Sequence, residues 1–535
     1  MLHRRVSRYV VCGLAIFVLT GCGGGNGKGE SQELVYGLTL APSGIDPHIH
    51  ASSELGIPLR SVYDTLVYRE PQLLGFVPGL AESWTVSEDG LTYTFVLRQD
   101  VTFHDGTPFN AEAVRANVER ILDPETASQK AVFMLGPVER VDVLSEHVVA
   151  LVLSTPYPPL LDSLSQPHLG MASPAALAEY DNATYQFHQV GTGPYRFVEY
   201  LPGDRLVLER NPDYAWGPDV VANPGPPAIE RITFRFFEDP AARALALESN
   251  EVQIMGELLP TDAEDLGEFA DIEVTRVAIP GQPLQFMFNA IRPPTDRLAV
   301  RQALLLATDR ATIIQTVFQG LSPVAEGPLS SPSLGYASSV EDLYPYEPLE
   351  AELLLDELEL VDSDADGWRD FEGEPIVITI VVPPWGLSPE VAQLLESQWE
   401  STLQLQVEVR QVAEYTMLRE VATSGEYHLI SFNLFGLDPI LLNGFYTTTG
   451  FNNWMNISDP DLDALLLGAA IENNPTRRNE LYARAQERIM ERALIVPIRE
   501  YVNLNGYSAD VSGLHFDTQG WFPYLTDLTL RESTQ

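Results

Sequence analysis

Strand-like and helix-like stretches alternate along 535 residues, which predicts an α/β protein with mixed sheets in more than one lobe. Three observations carry this prediction. The hydrophobic period switches repeatedly between two and about 3.6 residues. Hydrophobic residues make up 45% and charged residues 20%, a globular composition. The length exceeds what a single ordinary core holds, and no internal repeat or low-complexity linker divides the body of the chain.

The elements follow in order. Thr92 to Leu97 reads as a strand with Tyr93, Phe95 and Leu97 on one face. Gly106-Thr107-Pro108 is a turn, after which Asn110 caps a helix whose Val114, Val118, Ile121 and Leu122 share a stripe. Arg297 to Ala307 repeats the helical pattern with Val300, Ala303, Leu304 and Ala307. Ile376 to Val382 is a continuous β-branched run suited to a strand buried on both faces. Thr476 is expected to cap a further helix that carries Leu481, Tyr482, Ala485 and Ile489 inward.

The first residues predict export. Arg4, Arg5 and Arg8 form a basic head, and Val10 to Leu19 is an apolar stretch too short to span a bilayer as a stable helix. Leu19-Thr20-Gly21-Cys22 follows and resembles the bacterial lipobox, which implies lipidation of Cys22. Residues 1–22 are therefore read as a lipoprotein signal and 23–32 as a flexible tether. The two cysteines are Cys12 and Cys22, so the chain beyond Cys22 has no disulfide and no Cys-based zinc site. A formal charge of −43 argues against nucleic acid and anionic lipid surfaces as partners, which leaves the Cys22 lipid as the contact with the membrane.

From Pro78 the chain runs PGLAESWTVSEDGLTYTFVLRQDVTFHDGTPFNAEAV. Further blocks follow the same pattern in order: Ile45-Asp46-Pro47-His48, Gly191-Thr192-Gly193-Pro194-Tyr195, Arg210-Asn211-Pro212-Asp213-Tyr214, Asp296 to Ala303 with Asp309-Arg310, and Ser458 to Asp463. Together they closely resemble the extracellular solute-binding proteins, family 5, of dipeptide, oligopeptide and nickel ABC importers. The resemblance implies a two-lobed, periplasmic-binding-protein-like (Venus-flytrap) α/β fold with an extra subdomain in lobe one. Lobe one would take residues 33–275, with the inserted subdomain at about 65–185, lobe two 276–504, and 505–535 would return to lobe one. It also implies a binding protein, not an enzyme, that captures a peptide or other small solute by hinge closure. Its partners would be the solute, an ABC permease and an ATPase, and it would work as an exported monomer at the cell surface or the periplasmic face. In line with this, the chain has no G-x-S-x-G elbow, H-E-x-x-H pair or dinucleotide fingerprint.

Peptide-binding members carry a "W..D..DP" segment whose first Asp pairs with the peptide's amino terminus. Here Asp438-Pro439 aligns with the terminal DP, which sets Phe435 where the acid would stand and Phe432 at the Trp. A buried ammonium left without an anion is costly. The resemblance therefore points to a solute without an ammonium at that spot: an oligosaccharide, an opine-like or chelated-metal ligand, or a blocked peptide. Alternatively, Asp438 takes over the role. Trp385 and Trp454 lie in polar, turn-rich settings and read as rings that stack on a ligand, with Asn433 and Tyr446 as hydrogen-bonding residues.

Asp362, Asp364, Asp366 and Asp370, with Gly367 at the turn, follow the spacing of a calcium loop. Gly373 stands where such a loop carries its bidentate Glu, and the same acids also read as a solvated turn. No other cofactor is expected.

Overall fold

The computed structural model describes residues 32–39, 41–52, 54–70 and 75–531. The signal, Cys22 and all of the tether before residue 32 lie outside the described residues.

Ten strands form one sheet that runs through both lobes. From edge to edge these are Gln406–Gln411, Val377–Val382, Leu429–Ser431, Ile272–Phe288, Ile495–Ser508, Ile254–Met255, Glu33–Leu38, Arg231–Phe236, Arg205–Arg210 and Tyr195–Leu201. The two long central strands are antiparallel and carry the chain across from one lobe to the other. The 275/276 division expected from the resemblance falls inside the first of them. Its ladder is interrupted further on, between Ile279 and Leu284, where Pro280, Gly281 and Pro283 stand, and shifts again between Leu284 and Gln285. Proline has no N–H to donate, so this stretch cannot hold a regular ladder. Beyond the break Leu284 pairs with Arg499.

The local predictions rest on periodicity, and the structure follows it. Val377–Val382 lies between two parallel strands, with Ile378 and Ile380 in one core and Val381 in the other. Helix Ser388–Leu403 covers the first of these cores with Val391, Leu395 and Trp399, spaced four residues apart. In the first lobe, Leu34, Tyr36, Ile232 and Phe234 pack beneath the other end of the sheet. A separate antiparallel sheet of Ala81–Val86, Thr92–Leu97, Val148–Leu153 and Val138–Ser145 buries Tyr93, Phe95 and Leu97 on one face. Helix Ala111–Leu122 packs on that face; Asn110 Oδ1 accepts the Ala113 N–H at 3.1 Å, and Val114, Val118 and Ile121 point inward.

One cap differs from expectation. The helix over Pro475–Glu491 begins at Asn474, whose Oδ1 accepts the Arg477 N–H at 3.1 Å. Pro475 takes the first helical position, where its missing N–H costs nothing, and Thr476 sits inside the first turn.

Candidate ligand cleft

In open α/β sheets, ligands bind beyond the carboxyl ends of parallel strands. Both lobes present such ends here, on either side of the two long strands. In the first lobe Glu33–Leu38 runs parallel to Ile254–Met255, and these strands lead into Thr39 and into Gly256-Glu257. In the second, Val377–Val382 runs parallel to Leu429–Ser431, and the chain continues to Trp385 and to Asn433–Phe435.

Residues between the lobes tie the two sets together. Tyr501, on the second long strand, donates its O–H to Asn433 Oδ1 at 3.1 Å, and its ring meets Phe435 edge-on at 4.6 Å. Phe435 also packs against Trp521, which the C-terminal return supplies, at 5.5 Å. The close fit needs a glycine. Gln282 N–H donates to the Leu434 carbonyl at 2.9 Å and Gly436 N–H to the Pro280 carbonyl at 3.1 Å. A Cβ on Gly281, which has φ +124°, would lie 2.7 Å from Leu434 O. Phe435 and Trp385 are 39% and 41% exposed. Beneath Tyr501, Arg499 is buried between that ring and Phe318, and burial pushes its pKa down to about 10.

Not every residue read from the sequence reaches this cleft. Phe435, Asn433 and Trp385 stand at it. Asp438 does not act as a free acid: Arg478 grips it at 2.7 and 2.8 Å, and Asp438 also caps the following turn by accepting the Ile440 N–H. Its charge is already matched. Tyr446 is fully buried and gives its O–H to Gln285 at 3.2 Å. Trp454 is buried against Phe432 with ring centroids 5.0 Å apart. For these two, filling the second lobe's core outweighs exposure to a ligand.

The acidic loop lies at the other end of Val377–Val382 from Trp385. Carboxylate oxygens of Asp362, Asp364 and Asp370 lie within 4.8 Å of one another, and Asp366 is outside this group. Asp362 accepts the N–H groups of Ala365, Asp366 and Gly367, while Asp370 accepts that of Ser363.

Sequence reasoning missed the first lobe's side of the cleft. A narrow crevice there is lined by Tyr36, Thr39, Glu54, Glu257, Asn505 and Trp521, among others. The available signal was the polar alternation of Asn503 and Asn505 within a strand, together with an acid just after a short buried strand.

Residues 75–456 match the model for bacterial extracellular solute-binding proteins, family 5, middle region. The chain belongs to this family. It is similar to the glutathione-binding protein GsiB of Escherichia coli, with 27% identity over 81% of this chain and 82% of that protein. It is also 27% identical to di/tripeptide-binding protein 2 of Pseudomonas aeruginosa, over 91% of this chain and 93% of that one. Among solved structures, NikA from Brucella suis in complex with Fe(III)-EDTA matches with a TM-score of 0.82 at 24% identity, covering 93% of this chain and all of that one. The family 5 fold is the two-lobed α/β fold of periplasmic solute-binding proteins. As a member, the protein is the exported solute-binding component of an ABC importer, working with a permease and an ATPase.

Proposed function

We propose that the cleft captures a small peptide-like solute, and that the lobes close on it about the break at Pro280–Pro283. The observation that carries this reading is the wall of Phe435, Tyr501 and Trp521, which draws one ring from each lobe and one from the strand between them. A solute lying on that wall touches both lobes at once and so favours the closed state, which is the condition for a ligand to shift the equilibrium. The relatives named for glutathione and for di- and tripeptides support the choice of solute. On this reading the inserted part of lobe one, the boundaries near 275 and 504, and a monomeric state follow the family plan. The lipobox at Leu19–Cys22 supports anchoring by a lipid on Cys22.

Thermal shift against glutathione, mixed di- and tripeptides, oligosaccharides and metal chelates tests the solute. A peptide present at 100 times its dissociation constant should add about 2.7 kcal/mol of stability. Stabilisation by an oligosaccharide or a chelate, with none by any peptide, would overturn the reading. For the anchor, Cys22→Ala should release the protein from the membrane fraction; unchanged membrane retention would refute it.

A further inference from the structure

The crevice on the first lobe's side of the cleft has a polar lining that its internal hydrogen bonds satisfy only in part. Tyr36 and Asn505 are each only 1% exposed, yet Tyr36 Oη and Asn505 Oδ1 have no hydrogen-bond partner among the described residues. Nε1 of Trp521, on the same lining, has none either. Buried polar atoms are nearly always paired, and each unpaired one costs free energy. Three in one crevice imply that a missing group completes them.

The charge around them shows which kind of group. Glu54 and Glu257 both line the crevice, Glu54 buried and Glu257 half-buried. Glu257 is held from two sides: its N–H donates to Asn503 Oδ1 at 3.1 Å, and its Oε2 accepts the Thr39 hydroxyl at 3.2 Å. Burial raises its pKa, and the nearby Arg243 guanidinium draws it back. That guanidinium does not close an ion pair with it. Its hydrogen bonds go to the backbone carbonyls of Phe237, Thr39, Glu238 and Glu257. The free space is small, with room for roughly one water-sized group, which is also the size of an ammonium head. Trp521 joins this crevice to the aromatic wall, since its ring packs on Phe435 while its edge lines the crevice.

We propose that this crevice is the cation subsite of the cleft, taking the ammonium group of the captured solute on Glu257 and Glu54. The inference rests on the peptide-like reading above and deepens it. Asn505 Oδ1 and Tyr36 Oη add acceptors for the ammonium's remaining N–H groups. The Trp521 indole N–H, a donor, serves the carbonyl oxygen next to the amine. The first lobe thus supplies the anion that the second lobe lacks at Phe435, and the solute lies with its amino end toward Glu257.

The test uses the full chain and two probes: a mixed-sequence tripeptide library with free amino termini, and the same library N-acetylated. Bound peptides are identified by mass spectrometry, and affinities of the enriched members are measured calorimetrically. Free-amine peptides should be retained and blocked ones lost. In Glu257→Gln, affinity for the free-amine peptides should fall about 10- to 100-fold, the range expected for a charge-assisted contact. Equal binding of both libraries to the parent protein overturns the cation subsite while leaving the peptide-like reading intact, as does an unchanged affinity in Glu257→Gln. Binding of neither library overturns both. The library comparison on the parent protein stands even if the variant fails to fold.

Discussion

Asp64, buried, and Glu257, half-buried at the crevice, are both carboxylates of the first lobe, yet their surroundings differ. Asp64 collects the hydroxyls of Tyr68 at 2.9 Å, Tyr214 at 3.0 Å and Thr192 at 3.0 Å, and the Trp216 indole N–H at 2.9 Å. Burial pushes its pKa up, and those four donors pull against that rise. Glu257 accepts one side-chain donor, Thr39, beside three polar atoms that find no partner among the described residues. A saturated buried cluster holds a fold together, because every donor and acceptor in it has been used. An unsaturated one at the mouth of a cleft stores a deficit that a ligand can remove. Polar burial alone does not separate the two roles; hydrogen-bond saturation does.

The largest effect should come from Asp64. Replacing it with Ala strands four buried donors, so unfolding by urea should show a loss of about 3–5 kcal/mol. A variant as stable as the parent would break the contrast at once.

The next effect is on affinity, and it follows from the raised pKa of Glu257. A cation binds the ionised carboxylate, so binding must drive off any proton held there. Affinity for a free-amine peptide should therefore rise with pH and level off above the raised pKa, with a slope of at most about tenfold per unit for one proton. Titrations between pH 5 and 7 keep the peptide amine protonated throughout. Glu54, Arg243 and Tyr36 are the other charged and titratable groups around that carboxylate. A flat profile would count against an ionised acid as the contact.

A smaller effect is expected at Asn505. Asn505→Leu removes an unpaired buried oxygen together with the hydrogen bond from Asn505 Nδ2 to the Asn503 carbonyl at 3.3 Å. The two changes offset, so the unliganded protein should keep its stability to within about 1 kcal/mol while peptide binding weakens. A loss of stability comparable to that of Asp64→Ala would mean that the crevice is structural after all.

The acidic loop gives the smallest expected effect. Its carboxylates already accept the loop's own N–H groups, and Gly373 stands in the place of the bidentate Glu. Chelator should leave the melting temperature unmoved, and a saturable rise on adding calcium would show that the loop is a metal site.

How far each feature was legible depends on the range of the interactions behind it. The Thr92–Leu97 strand, the Asn110 cap and the Val377–Val382 strand follow from neighbours within a few residues, and periodicity reveals them. The Thr476 cap was misplaced by two residues because Asn474-Pro475 offers a better local start. In the cleft, the sequence pointed to Phe435 in place of an acid. It could not tell that Asp438 is matched by Arg478, forty residues away, or that Tyr446 finds Gln285 from 161 residues away. Trp385 stayed outward and Trp454 went inward although both sit in similar turns, because only the latter meets a ring such as Phe432.

By itself, then, the sequence determined the α/β class, the family and the absence of an acid at Phe435. These are properties of local pattern and of colinear blocks along one chain. The tertiary structure alone decided where charge stands in the cleft. Tyr36, Glu54, Glu257, Asn505 and Trp521 come from five separate stretches of the chain, and they become one crevice only when the first lobe closes around the parallel strand ends and the C-terminal return packs against them. Each residue is unremarkable in its own segment. Whether a buried polar atom is satisfied depends on every neighbour in space, and that property is set by packing and not by sequence order.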